Sequence, residues 1–175
     1  MCGKCCSAYW VPVTHRDVAR ISASTGLGPR EFVDCVPKGR AGEWGVPSFL
    51  LEGGEYYLVL RQEPGGSCVF LRCGGGRCAC SVHGAKPLPC RMYPLLYVPG
   101  DPPELLLIPG ADQCPGVGRG APREPREELL AGQMRIKELR EYAAIVRRWN
   151  RMVRSGLAEP SLDRYLEFTM SAGGR

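Results

Sequence analysis

The chain has 175 residues, 44% of them hydrophobic and 23% charged, with a formal net charge of +5. That length can bury a core without a disulfide lattice, and the charge is too mild for a nucleic-acid arm. Its longest strongly apolar runs, such as Leu105-Leu106-Leu107-Ile108, are too short to cross a bilayer, so no membrane role is expected.

Taken in chain order, Thr14 with Asp17 three positions on predicts a capped helix through Val18 and Ile21 that stops near Gly26. Pro29 predicts a second short helix through Phe32 and Val33. Residues 37–55, rich in glycine, proline and charge, read as loop. Tyr56 to Arg61 and Cys68 to Arg72 read as two strands around the turn Glu63-Pro64-Gly65-Gly66. Cys73 to Cys90 leaves little room for regular structure. Leu95 to Val98 and Glu104 to Ile108 predict a second hairpin, turned at Gly100-Asp101-Pro102.

From Glu124 the character changes. Leu139, Tyr142, Val146, Trp149 and Val153 recur at spacings of three and four, an amphipathic helix stripe that Ser155-Gly156 ends. Pro160 starts a final short helix through Leu162, Tyr165, Leu166 and Phe168. The expected fold is α+β. A small cysteine-rich, metal-centred domain with short helices and hairpins covers residues 1–120, and a helical tail over 121–175 packs on it. Residues 119–175 carry 12 basic and 8 acidic side chains. Arg135, Lys137, Arg140, Arg147, Arg148, Arg151 and Arg154 read as a solvated face, with an RNA-contacting surface or a protein-partner site as the sharper readings.

Ten cysteines are the outstanding feature, and six lie between Cys68 and Cys114. The first ten residues show cysteines and a lysine where a secretory segment would be apolar, which points to a cytoplasmic chain whose thiols stay reduced. Metal ligation therefore takes precedence over a disulfide framework, although 19 of the 23 basic residues are arginine, a composition shared with hyperthermophiles that do form intracellular disulfides.

Thiolates suit both zinc and iron–sulfur clusters, which favour sulfur. Cys5 and Cys6 are adjacent, and in an extended segment they would face opposite sides, serving two centres or leaving one spare. Two well-spaced C-x-x-C knuckles, the usual zinc signature, are missing, whereas Cys114-Pro115 repeats a step found in bacterial ferredoxins. His83 makes a C-x-x-H with Cys80, a zinc-ligand spacing, but in a glycine loop it reads first as a hydrogen-bonding imidazole. His15 reads as an early helix residue. Cys73 and Cys78 close a glycine loop as a local disulfide or a spare thiol pair. Cys35 reads as a core thiol. Arg91 reads equally as a thiolate partner or an ordinary ion-pair residue. With neither a G-x-S-x-G elbow nor a Walker loop, ordinary hydrolase and NTPase chemistry is not expected.

The combined pattern resembles the YkgJ-type cysteine-cluster family, described as zinc- or iron-chelating and related to the flagellin lysine N-methylases. The family's opening cluster is seen as Cys2-Gly3-Lys4-Cys5-Cys6, and its central block as Cys68-Val69-Phe70-Leu71 followed by Cys80 through Cys90-Arg91-Met92-Tyr93-Pro94. Its close is seen as Cys114-Pro115-Gly116-Val117-Gly118-Arg119-Gly120. The chain departs from the pattern in several places. The family's first cysteine would precede Met1, His83 replaces a tyrosine, Lys86 replaces an arginine, and Cys35, Cys73 and Cys78 have no counterpart. The resemblance implies that Cys2, Cys5, Cys6, Cys68, Cys80, Cys90 and Cys114 form the metal site. The expected function is metal binding, with an iron–sulfur cluster, 4Fe–4S among the forms, ahead of zinc. The alternatives are a protein-lysine methyltransferase-like enzyme, which the related family implies, and a nucleic-acid-associated zinc module using the basic helix. Substrate and oligomeric state are not encoded in any motif.

Overall fold

The structure, a computed structural model, describes residues 2–111, 114–119, 121 and 124–173. Gly120, at the end of the closing motif and at the expected domain boundary, lies outside the described residues. The N-terminal segment forms α1 (Lys4–Ala8), α2 (His15–Thr25) and α3 (Pro29–Phe32), then β1 (Val33–Pro37) and α4 (Lys38–Ala41). There follow β2 (Phe49–Leu51), β3 (Gly54–Leu60), β4 (Leu71–Gly74), β5 (Arg77–Cys80), α5 (Leu88–Met92), β6 (Leu95–Val98) and β7 (Glu104–Leu107). Two helices close the chain, α6 (Arg126–Arg154) and α7 (Leu162–Ala172). The architecture is mixed α+β: an antiparallel sheet ordered β1-β3-β2 and two separate hairpins, β4-β5 and β6-β7.

The start and end signals of α2 work as its residue types require. The Thr14 hydroxyl accepts from the Asp17 amide, the Asp17 carboxylate accepts from the Thr14 amide at 3.0 Å, and Gly26 closes the helix at φ 74°. Pro29 opens α3, but Val33 is already extended. The chain therefore enters β1, which pairs along its full length with β3, from Val33↔Leu60 to Pro37↔Tyr56. This replaces the expected helix end, and pairing with the neighbouring strand supplies what local propensity lacked. Within the expected loop, Phe49-Leu50-Leu51 forms β2 on the other side of β3. Three residues carry too short a period to be seen among glycines and prolines.

The middle hairpin also differs from expectation. Cys68 makes an isolated bridge with Gln62, and the regular pairing lies further on, between β4 and β5. Gly75 and Gly76 both have positive φ, 56° and 74°, giving the two-residue turn that matches strand twist. Between Cys73 and Cys90, where little structure was expected, the chain therefore holds β5 and α5. The β6-β7 hairpin forms as predicted.

One apolar core draws on both ends of the chain, from Val18, Ile21, Phe32 and Phe70 to Tyr142, Val146, Trp149 and Tyr165. Of the α6 stripe, Tyr142, Val146 and Trp149 are buried, while Leu139 and Val153 are half-buried. Arg147, Arg148, Arg151 and Arg154 are exposed. Polar contacts fix the helices against the sheet. The Trp149 indole N–H donates to the Leu50 carbonyl at 2.7 Å, and the Leu50 amide donates to the Asn150 side chain at 2.8 Å. The Phe49 and Tyr165 rings stack at 3.7 Å, and the Tyr165 hydroxyl donates to that of Tyr142 at 2.7 Å. Near the start of α6, buried Gly132 faces Tyr97 of β6; a Cβ there would stand 2.3 Å from the ring.

A buried polar network joins these layers. Asp17, fully buried, accepts from Thr14, from the Arg20 guanidinium and, at 3.0 Å, from the Leu88 amide that begins α5. Arg20 also pairs with Glu138 of α6, which accepts from the Thr14 hydroxyl at 3.3 Å. Removing one member of a buried, hydrogen-bonded ion pair typically costs about 3–5 kcal/mol because the partner is left uncompensated. Asp17→Ala is expected to lose that order of stability in urea denaturation; a loss within about 0.5 kcal/mol, as for an ordinary surface change, would show that the network is dispensable.

His15, the first residue of α2, is buried at 3% exposure and stacked on Tyr142 at 6.0 Å. Burial first, then the Arg16 charge, holds its pKa below the usual 6.5. The folded state therefore binds a proton less readily than the unfolded chain. The resulting stability is complete above pH 6.5 and is lost as pH falls from there through the depressed folded value. Thermal midpoints measured from about pH 7 down to about pH 5 should fall, and His15→Phe should flatten that slope.

Candidate metal centre

Each cysteine of the expected site is placed by a short element. Gly3, at φ 69°, turns the chain into α1, so Cys5 and Cys6 are neighbours on a helix instead of in an extended segment. A helical step rotates a side chain by about 100° instead of 180°, and the two sulfurs stand 3.9 Å apart. The pair therefore points to one side of the chain, not to opposite sides. The Cys6 carbonyl accepts from the Cys68 amide at 2.7 Å, tying α1 to the approach to β4. Cys80 ends β5, opposite Leu71. Cys90 lies in α5, two residues beyond the Leu88 amide that Asp17 holds. Cys114 sits in a turn closed by its amide donating to Ala111 at 2.9 Å and its carbonyl accepting from Val117 at 3.0 Å. Cys2 is exposed at the outer end.

The thiols sense one another electrostatically. A hydrogen bond within the Cys5–Cys6 pair draws Cys5 down to about 6, with Lys86 adding a smaller pull. The same bond, then burial, then the charges of Cys5, Cys68 and Cys90 push Cys6 well up. Burial raises Cys68, and the charges of Cys80 and Cys5 add to it. Burial pushes Cys90 up to about 12, reinforced by Cys68, Cys5, Cys80 and Asp17. Cys114 joins through Tyr93, whose phenol is pushed up to about 12 by burial and then by Tyr9, Cys114 and Cys5.

The donors of this set are sulfur and partly dry. Cys68 belongs to the main core, and Cys6 and Cys80 pack against it. Ionised thiols in mutual reach repel one another, and a bound cation would relieve both the repulsion and the burial cost. The residues present are of the type that a thiophilic metal takes. The 3.9 Å sulfur pair matches the edge of about 3.8 Å that tetrahedral thiolate ligation at about 2.3 Å produces. Among the described residues, no three His, Cys, Asp or Glu side chains stand in a ready ligand array.

The other candidate residues fall elsewhere. His83 is exposed, and His15 is the buried first residue of α2, the early helix position expected of it. Cys35, on β1, packs against the main core, and burial followed by Asp34 pushes it up to about 11, as a core thiol behaves. Arg91 donates to the carbonyls of Lys86 at 3.1 Å and Gly84 at 2.8 Å, so it braces the loop before α5. Cations reach these thiols from several segments: Lys86 acts on Cys5, Arg72 on Cys68 and Arg135 of α6 on Cys90. Burial lowers the Arg135 pKa, against the opposing charges of Asp17, Cys90 and Glu138. Arg135 was read from sequence as part of a solvated basic face; no local signal marks it as inward, because its partner Cys90 is distant in the chain. Cys73 and Cys78 form a disulfide.

The family model CxxCxxCC, described as "Putative zinc- or iron-chelating domain", matches residues 1–114. No curated protein and no solved structure matches the chain. Cys90→Ser should lose most of the bound metal and destabilise the fold, since metal binding and folding are coupled, whereas Cys35→Ser should keep its full metal content. Elemental analysis of the two variants makes the comparison; equal losses would remove the distinction between site and core thiols.

Proposed function

The chain belongs to the CxxCxxCC family of zinc- or iron-chelating domains, and we propose that it holds an iron–sulfur cluster on thiolates drawn from Cys5, Cys6, Cys68, Cys80 and Cys90, with Cys2 and Cys114 at the rim. The observation that carries this reading is that Cys6 and Cys80 pack on the apolar cluster that holds Cys68, with Cys5 3.9 Å from Cys6, in a motif offering more thiols than a closed four-ligand zinc site uses. The Cys114-Pro115 step and the apolar shell around Cys68 are of the kind that accompanies clusters and tunes them.

When bound, a cluster supplies one-electron chemistry. The chain's own residues do the rest. The core side of Cys68 excludes water, Lys86 and Arg135 offset thiolate charge, and the Asp17–Leu88 bond fixes the helix that carries Cys90. Structural zinc is the second reading. It is favoured by the 3.9 Å spacing of Cys5 and Cys6, which suits two ligands of one ion.

Anaerobic purification separates the two. A brown protein carrying iron and acid-labile sulfide, with visible absorption that bleaches on dithionite reduction, is the expected result. A colourless protein with stoichiometric zinc would replace the cluster by the second reading.

A further inference from the structure

Cys73 and Cys78 lie outside the family pattern, yet the fold places them on the face of the β4-β5 hairpin that meets the cysteine site. In the register Leu71↔Cys80, Cys73↔Cys78, side chains alternate between faces, so Leu71, Cys80 and the disulfide share one face. That face meets Gly3, whose Cβ would stand 3.0 Å from the Cys78 Cβ, 3.3 Å from Leu71 and 3.4 Å from the Cys78 sulfur.

As a structural staple this bond has little to do. It spans five residues, and a bridge that closes so short a loop removes little freedom from the unfolded chain. The two-glycine turn and the strand pairing already define the hairpin. The bond is also accessible: Cys73 is exposed, and Cys78 is half-buried against Gly3. Exposed disulfides are the labile and regulatory ones, whereas structural bonds resist reduction.

We propose that Cys73–Cys78 is a thiol–disulfide exchange site that takes low-molecular-weight thiols, entered at the Cys73 sulfur. An incoming thiolate attacks Cys73; the Cys73–Cys78 bond breaks, a mixed disulfide forms on Cys73, and Cys78 leaves as the thiolate, which takes up a proton. A second thiolate then attacks the incoming sulfur, releasing the external disulfide and the Cys73 thiolate. Two external thiols are oxidised and one protein disulfide is reduced. Cys78 is the leaving group because Gly3 shields it, while Cys73 faces solvent. The site stands on the hairpin's geometry and does not depend on which metal the neighbouring thiols hold.

Glutathione is the test probe, applied to the full chain as purified. Trypsin cuts after Arg72 and Arg77, so the bond appears as a linked pair of peptides, one running from Cys73 to Arg77 and the other beginning at Cys78. The expected result is that this linkage disappears in millimolar reduced glutathione, with the circular dichroism spectrum unchanged, and returns with oxidised glutathione. Cys78→Ser should collect a glutathione adduct on Cys73 several-fold faster than Cys73→Ser collects one on Cys78. A linkage that survives millimolar reduced glutathione in the folded protein would make the bond structural and overturn the proposal. Failure of the linkage to re-form with oxidised glutathione would do the same, and equal adduct rates in the two variants would overturn entry at Cys73. Metal analysis of the same samples reads the metal-site proposal separately, so either can fail alone.

Discussion

A carboxylate taken out of water is tolerable when both of its oxygens find donors, and Asp17 is such a case. Its oxygens accept from the Thr14 backbone amide, from Arg20 and from the Leu88 amide. These bonds begin α2, begin α5, and through Arg20 reach Glu138 on α6. Three segments far apart in the chain are thereby set against one another, and one carries Cys90. The position of a candidate ligand therefore depends on a helix cap formed some seventy residues earlier, since Leu88 and Asp17 are 71 positions apart. Apolar burial would hold the layers together without fixing their register; directed bonds to a single carboxylate fix it.

The cysteine site has the opposite character. Its groups are alike and repel when ionised, so the geometry that brings them together is unfavourable until a cation arrives. Burial and the neighbouring thiols push Cys6 and Cys90 up, while the bond to Cys6 draws Cys5 down. A bound cation would take the place of protons on such thiols.

Local signals in the sequence were legible where chemistry is local. The Thr14–Asp17 cap, the Gly26 stop, the β6-β7 hairpin and the α6 stripe are each specified by residues within a few positions of one another. What sequence reasoning missed depends on distant partners. β1 exists because β3 is there to pair with it. Arg135 looked like one more exposed cation, and only the fold shows it facing Asp17 and Cys90. The extended reading of Cys5-Cys6 failed for a local reason: Gly3 turns the chain into a helix, and five residues are too few to display a period. The resemblance to a cysteine-cluster family identified which thiols to consider; packing and burial assigned Cys35 to the core instead.

Gly132 gives the long helix a notch. Glycine inside a helix costs roughly 1 kcal/mol relative to alanine, and here the missing side chain makes room for the Tyr97 ring. A notch on a rod acts as an index mark. Shifting it by one turn would slide the seated hairpin about 5.4 Å along the axis, and with it the segment that leads from β7 towards Cys114. α6 thus serves as a ruler as well as a wall: its apolar stripe says which side faces inward, and its one vacant position says how far along the hairpin must stand.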